Sequence, residues 1–159
     1  MVHFREIPVD QAEAHGLLQA YFSERIATFP DPAGYATSFP DPSAFVAPAG
    51  VFLLADVDGS NGVACGGIRR ITPGRPSETR YEVKHLYVSP SGRGHGVGKA
   101  LLRELEERAA AFGADEVVLD TNASLTAAGS LYRSTGYAGI EPYNDNPNAT
   151  DWYAKRLRP

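Results

Sequence analysis

The 159-residue sequence contains a single cysteine, a single methionine and a single tryptophan. A lone thiol, Cys65, cannot close an internal disulfide, which points to a reducing, cytoplasmic setting. No apolar run approaches the roughly 18 residues of a membrane span, and Met1–Asp10 lacks the apolar core of a signal peptide. The Asn-x-Ser/Thr triplets at Asn122 and Asn148 then carry no meaning as glycosylation sites. Basic charge is also short: 15 Lys and Arg against 19 Asp and Glu give a net charge of −4, which speaks against a general nucleic-acid binder. The four histidines show neither metal-ligand spacing nor an obvious Ser or Asp partner. Metal-centre and triad-hydrolase readings therefore have nothing to rest on.

The remainder is ordinary for a globular chain, with 43% hydrophobic and 21% charged residues. A domain of this length buries roughly two-thirds of its unfolded surface, enough to fold without disulfides or metal. Residues 1–159 read as one domain.

Periodicity supplies the elements. His3–Ile7 reads as a strand and Val9–Ala27 as a helix, with Asp10 as N-cap and Ala12, Leu17, Leu18, Tyr21, Phe22 and Ile26 as its apolar positions. Phe29–Gly50 holds five of the twelve prolines and is expected to be a loop with at most one helical turn. A loop that long is unusual in a compact domain and more often functional than not. Its aromatics, Phe29, Tyr35, Phe39 and Phe45, could line a pocket or pin the loop to the core.

Val51–Val57 and Gly62–Ile71 form a hairpin across Asp58-Gly59-Ser60-Asn61, and Tyr81–Val88 is the next strand. Gly96–Phe112 is the clearest helix, with Val97, Leu101, Leu105, Ala109 and Phe112 on one stripe and Gly113 placed as a C-terminal stop. Glu116–Thr121 reads as a buried strand. A helix capped by Ser124 runs to Ser134, and Tyr137–Ile140 and Asp151–Leu157 supply closing strands. This order gives a mixed sheet with helices on its faces.

The sharpest local feature is Ser89-Pro90-Ser91-Gly92-Arg93-Gly94-His95-Gly96-Val97-Gly98-Lys99, set between a strand and an amphipathic helix. Its alternate glycines let backbone approach a ligand and take φ > 0. It opens onto a helix N-terminus, whose free N–H groups favour an anion, and Arg93 and Lys99 flank it. A phosphate or pyrophosphate suits such a cradle. The spacing matches neither the nucleotide P-loop nor the dinucleotide fingerprint.

Arg93-Gly94-His95-Gly96-Val97-Gly98 resembles the [Q/R]-x-x-G-x-[G/A] signature of the GNAT superfamily, the acyl-CoA-dependent N-acetyltransferases. Tyr81–Val88 resembles the preceding strand of that superfamily, and Leu131-Tyr132-Arg133-Ser134-Thr135-Gly136-Tyr137 its later L-Y-x-x-x-G-[F/Y] motif. The order of elements agrees from about His3 to Leu157. The resemblance implies an α/β (α+β) fold: a mixed, mostly antiparallel sheet of six to seven strands with splayed central strands and about four helices on its faces. It implies acetyl-CoA as co-substrate, no metal, and direct transfer of the acetyl group to a primary amine of a small molecule, amino acid or peptide.

Carried over residue by residue, the backbone of Leu86, Tyr87 and Val88 would pair with the pantetheine arm as an added strand. The backbone N–H groups of Arg93, Gly94, His95, Gly96, Val97, Gly98 and Lys99 would meet the pyrophosphate. Asn122 could bond the amides of the arm, although the family's usual asparagine position is occupied here by Leu125. Tyr132 is the candidate general acid for the departing thiolate, with a packed core aromatic as the alternative role. Glu82, eleven residues before Arg93, is the candidate base or the residue that orients a water, with an ordinary strand carboxylate as the alternative. His85, on the opposite strand face by strict alternation, is a second candidate base. The Leu86 N–H could support the thioester carbonyl oxygen. Cys65 reads as a small packed side chain.

The acceptor is expected to meet the first helix, the Phe29–Gly50 loop, the Ile71–Arg80 region and the Glu141–Thr150 segment. No membrane or nucleic-acid partner is expected, and a homodimer through the last strands, where Trp152-Tyr153 lie, is possible. An alternative reading keeps the fold and the CoA site for acyl-CoA binding or sensing without turnover. Another makes the cradle a module for a different nucleotide.

Overall fold

A computed structural model describes residues 1–158. Ten regular elements follow one another: β1 (Val2–Glu6), α1 (Ala12–Thr28), β2 (Gly50–Val57), β3 (Ser60–Ile71), β4 (Arg80–Val88), α2 (Val97–Ala111), β5 (Glu116–Thr121), α3 (Thr126–Ser134), β6 (Ala138–Ile140) and β7 (Asp151–Arg156). The seven strands form one sheet in the order β1-β2-β3-β4-β5-β7-β6, antiparallel at every pairing except β4–β5. The mixed, largely antiparallel architecture expected from the sequence is thus present, with three α-helices rather than about four. The prolines of the Phe29–Gly50 segment account for the difference: only Pro42–Phe45 winds, as a 3₁₀ turn whose Ser43 N–H donates to the Asp41 carboxylate.

The β4–β5 contact decides the shape of the molecule. The two parallel strands pair only where Arg80–Glu82 face Glu116–Val118. Beyond Glu82 they part, so β4 stays paired to β3 through Val88 while its other edge is open.

Two apolar clusters sandwich the sheet. One puts Leu53, Ile68, Tyr81, Val83 and Leu119 against Leu101, Leu102 and Leu105 of α2. The other puts Phe52, Leu54, Cys65 and Tyr87 against Ala14, Leu18 and Phe22 of α1, with Phe45. Cys65 is fully buried there, the small packed side chain expected, and burial pushes its thiol up to about 12.

Local details depart from the sequence pattern. Neither Asp10 nor Ser124 caps a helix: the N-caps are Gln11 and Leu125, without side-chain bonds. On α1 the apolar position expected at Ile26 is 57% exposed, whereas its neighbour Arg25 is buried at 5%. On β4 a bulge sets His85 and Leu86 together opposite Gly66, with His85 at φ 57°. The surplus residue breaks the alternation. His85 therefore lies on the α1 side of the sheet, the side that Glu82 and Arg69 share, rather than opposite Glu82. No helix is long and apolar enough to cross a membrane, among the described residues.

Candidate functional site

Where β4 and β5 part, a cleft of about 550 Å³ opens through the sheet. Its floor is the bulged stretch Val83–Leu86, and its far wall is Leu119–Asn122 of β5 and the turn after it. Tyr21, Phe22 and Arg25 of α1 line one side; Ala128 and Tyr132 of α3 line another. The rim comes from residues 35–41 and 144–149, two loops distant in sequence. Asn148 laces them together, accepting from the Ala36 N–H at 2.9 Å and donating to the Ala36 carbonyl at 2.8 Å. The aromatics of the proline-rich loop divide their labour: Tyr35 and Phe39 meet the cleft, while Phe45 is core.

Tyr132 is 6% exposed, its ring packed 5.9 Å from Tyr137 and 6.0 Å from Tyr153. Burial first, then the Asp120 carboxylate and Tyr153, raises its phenol above the ordinary tyrosine value, so the hydroxyl keeps its proton at neutral pH. His85 is ringed by Phe22 at 5.7 Å, Tyr21 at 6.1 Å and Phe45 at 6.4 Å. Burial, with Lys84 and Arg69 nearby, lowers it to about 3, so its imidazole is uncharged.

Glu82 does not line the cleft. Its carboxylate is 1% exposed and accepts from Arg69 Nε at 2.9 Å and from the Tyr143 hydroxyl at 2.6 Å. Lys84 lies between Glu82 and Asp120, at 3.9 Å and 3.4 Å, and Asn144 donates to Asp120 at 2.8 Å. These groups form a connected network, with Arg69, Lys84, Asp120 and Asn144 on the cleft and Glu82 and Tyr143 behind them, each charge with a counter-charge. No local pattern points to Arg69, Asp120, Tyr143 or Asn144, because their association depends on β3–β4–β5 pairing and a loop folded over it. Asn122 does line the cleft, but both its side-chain atoms serve the fold: Nδ2 donates to the Asn148 carbonyl at 3.2 Å, and Oδ1 accepts from the Ser124 N–H at 3.0 Å.

At the end of β4 the chain turns through Pro90–Gly92 into α2. Gly92 passes so close to Val63 and Val88 that a Cβ would lie 3.1 Å from each. Gly94 and Gly96 have φ of 81° and 71° and open space where a Cβ would be. Gly96 is the N-cap of α2 and has no side-chain cap, and the first turn contains no acidic residue. The N–H groups there are left for an anion from outside the helix. The Arg93 side chain is committed elsewhere: Nε donates to the Val88 carbonyl at 3.0 Å and Nη2 pairs with Glu24 at 2.6 Å, tying the turn to α1. What the turn offers a ligand is its backbone, together with the exposed His95 and Lys99.

An open strand edge running into an uncapped, glycine-rich helix start is the arrangement that suits a long, extended ligand ending in phosphates. Residues 13–137 match the acetyltransferase (GNAT) family. The chain belongs to that family. It is 34% identical over 100 residues to an uncharacterized N-acetyltransferase of Schizosaccharomyces pombe, a match covering 63% of this chain and 59% of that protein. The chain spans about a quarter to three-fifths of the length of the curated relatives it matches. Among solved structures, a GNAT acetyltransferase of Staphylococcus aureus superposes with a TM-score of 0.80 at 18% identity, covering 99% of this chain and 100% of that one. A GNAT acetyltransferase of Elizabethkingia anophelis with acetyl-CoA bound gives 0.64 at 17% identity, with 98% of each chain covered. These structural likenesses carry the fold alone.

Proposed function

We propose that the protein is an acetyl-CoA-dependent N-acetyltransferase that forms a ternary complex and moves the acetyl group directly to a primary amine. One observation carries this reading: the unpaired edge of β4 leads into the uncapped start of α2, with a cleft holding a protonated phenol beside it. Acetyl-CoA supplies an acyl thioester. The backbone of Leu86, Tyr87 and Val88 holds the arm as an added strand. The N–H groups of residues 93–99 hold the pyrophosphate, and Asn122 borders the arm at the end of β5.

The Leu86 N–H steadies the carbonyl oxygen as charge gathers there. The Tyr132 hydroxyl gives its proton to the leaving sulfur, and its raised affinity for protons keeps it loaded for that task. His85, uncharged and in the cleft, accepts a hydrogen bond from the amine nitrogen and passes the released proton on to water as the new bond forms. Glu82 acts behind it, fixing Arg69 and Tyr143; a base role for this carboxylate would run through the Tyr143 hydroxyl that covers it. No residue carries the acetyl group, and Cys65, buried and held protonated, is no nucleophile.

Thermal unfolding with acetyl-CoA, ATP and NAD, followed by an amine panel read by thiol release, tests the proposal. Acetyl-CoA at 100 times its Kd should add about 2.7 kcal/mol of apparent stability, well beyond ATP or NAD. Equal protection by ATP or NAD would overturn the CoA site. Protection by acetyl-CoA with no thiol release from any amine would favour a binding or sensing role.

A further inference from the structure

Arg25 is the odd member of the cleft. It follows Leu18 by seven residues and Phe22 by three, which puts a cation on the buried stripe of α1. Its residue exposure is 5% and it lines the cleft. The guanidinium carbon lies 5.2 Å from the Tyr35 ring centroid and 5.5 Å from that of Phe29. Its Nη1 is the one buried side-chain nitrogen or oxygen without a hydrogen-bond partner among the described residues. The other cations of the cleft are provided for: Arg69 pairs with Glu82, and Lys84 with Asp120. A guanidinium withdrawn from water and left with free donors is costly unless an anion completes it, and the two aromatic faces meet only part of that need.

The anion must come from the ligand that fills the cleft. A planar donor fork matches a carboxylate in bidentate fashion. A doubly charged phosphate would also face Asp41, Asp120 and Asp145 on the same walls, whereas these carboxylates suit an ammonium. One molecule bearing both groups satisfies both ends. We infer that the acetyl acceptor is an amine that also carries a carboxylate, in the manner of an amino acid, and that Arg25 binds that carboxylate. This inference rests on the acetyltransferase reading for its chemistry but not for its binding geometry.

The test uses matched sets: proteinogenic L-amino acids with β-alanine and γ-aminobutyrate, their carboxamides, and the corresponding decarboxylated amines. With the unaltered protein, the best free acid should exceed its own amide and decarboxylated amine roughly 10- to 100-fold in kcat/KM. Arg25→Gln should erase that preference, raising KM for the acid far more than it alters the rate with amides or KM for acetyl-CoA. Arg25→Lys, which keeps charge but not the fork, should restore part of it. Amides or plain amines that match the acids, or an Arg25→Gln loss shared equally by acids and amides, would overturn the inference while leaving the enzyme reading intact. If the variants do not fold, the ranking of acids against amides on the unaltered protein decides. If no amine is acetylated, thermal shift takes over. Stabilisation by acids above their amides upholds the Arg25 subsite though the transferase reading fails, and no difference between them overturns it.

Discussion

Replacing Tyr132 with phenylalanine separates chemistry from packing. The ring packs against Tyr137 and Tyr153 and the residue is 6% exposed, so phenylalanine keeps the aromatic contacts and removes one oxygen from a residue that lines the cleft. Stability should change by less than about 1 kcal/mol, since no buried partner is orphaned. A positioned general acid is worth at least about 100-fold, or about 2.7 kcal/mol of activation free energy. Tyr132→Phe should therefore lower kcat on the order of 100-fold in a thiol-release assay, with acetyl-CoA affinity by thermal shift unaltered. The raised proton affinity of the phenol adds a second readout. Its acid form persists above the pH near 10 at which a free tyrosine ionises, so the unaltered enzyme should show no loss of kcat from Tyr132 ionisation up to that pH. A Tyr132→Phe variant with full kcat, or one that loses acetyl-CoA binding in proportion to activity, would refute the acid role.

His85 links stability to acidity. Its folded value of about 3 lies below its ordinary 6.5, so as pH falls through 6.5 the unfolded chain takes up a proton that the folded chain refuses. Stability from this group is complete above 6.5 and declines towards 3, by at most about 1.4 kcal/mol per pH unit. His85→Asn, tolerant of the positive φ, should flatten urea-unfolding stability between pH 6.5 and 4 relative to the unaltered protein; parallel curves would remove the assigned burial. The same variant should lower kcat more than Glu82→Gln does; the reverse order would return the base role to Glu82. Glu82→Gln costs a buried charge its place between Arg69 and Tyr143, which should lower stability by about 1–3 kcal/mol and Tm by roughly 3–10 °C, read by calorimetry.

Much of this was open to reading because it depends on short-range pattern. The stripe of α2 is periodic, and four of its five expected positions are buried in the core, with Phe112 packed against it. The glycine turn signals itself by composition, and Tyr132 by the motif that starts within α3. What escaped depends on tertiary partners. Arg25 and Ile26 are neighbours, and hydropathy alone assigns the buried position to isoleucine; the helix rotation set by Leu18 and Phe22 assigns it to arginine. An arginine seven residues after a core leucine was the available signal. The network around Glu82 joins three strands and the 141–150 segment, and no local rule brings Tyr143 to a carboxylate 61 residues away. The caps failed for a similar reason: Asp10 and Ser124 have the right chemistry, but the helices begin at other residues.

The bulge opposite Gly66 ties two properties of β4 to one extra residue. In an extended chain, side chains alternate between faces while peptide groups alternate between edges, both with a period of two. A strand that gains one residue changes phase in both respects at once. Excising either His85 or Leu86 would therefore swap which imidazole or alkyl group looks into the opening and, in the same stroke, rotate the amide that the open margin presents. Under the proposed mechanism, recognition along that margin and proton handling in the hollow are bound to one another, and neither can drift by insertion or deletion without carrying the other along.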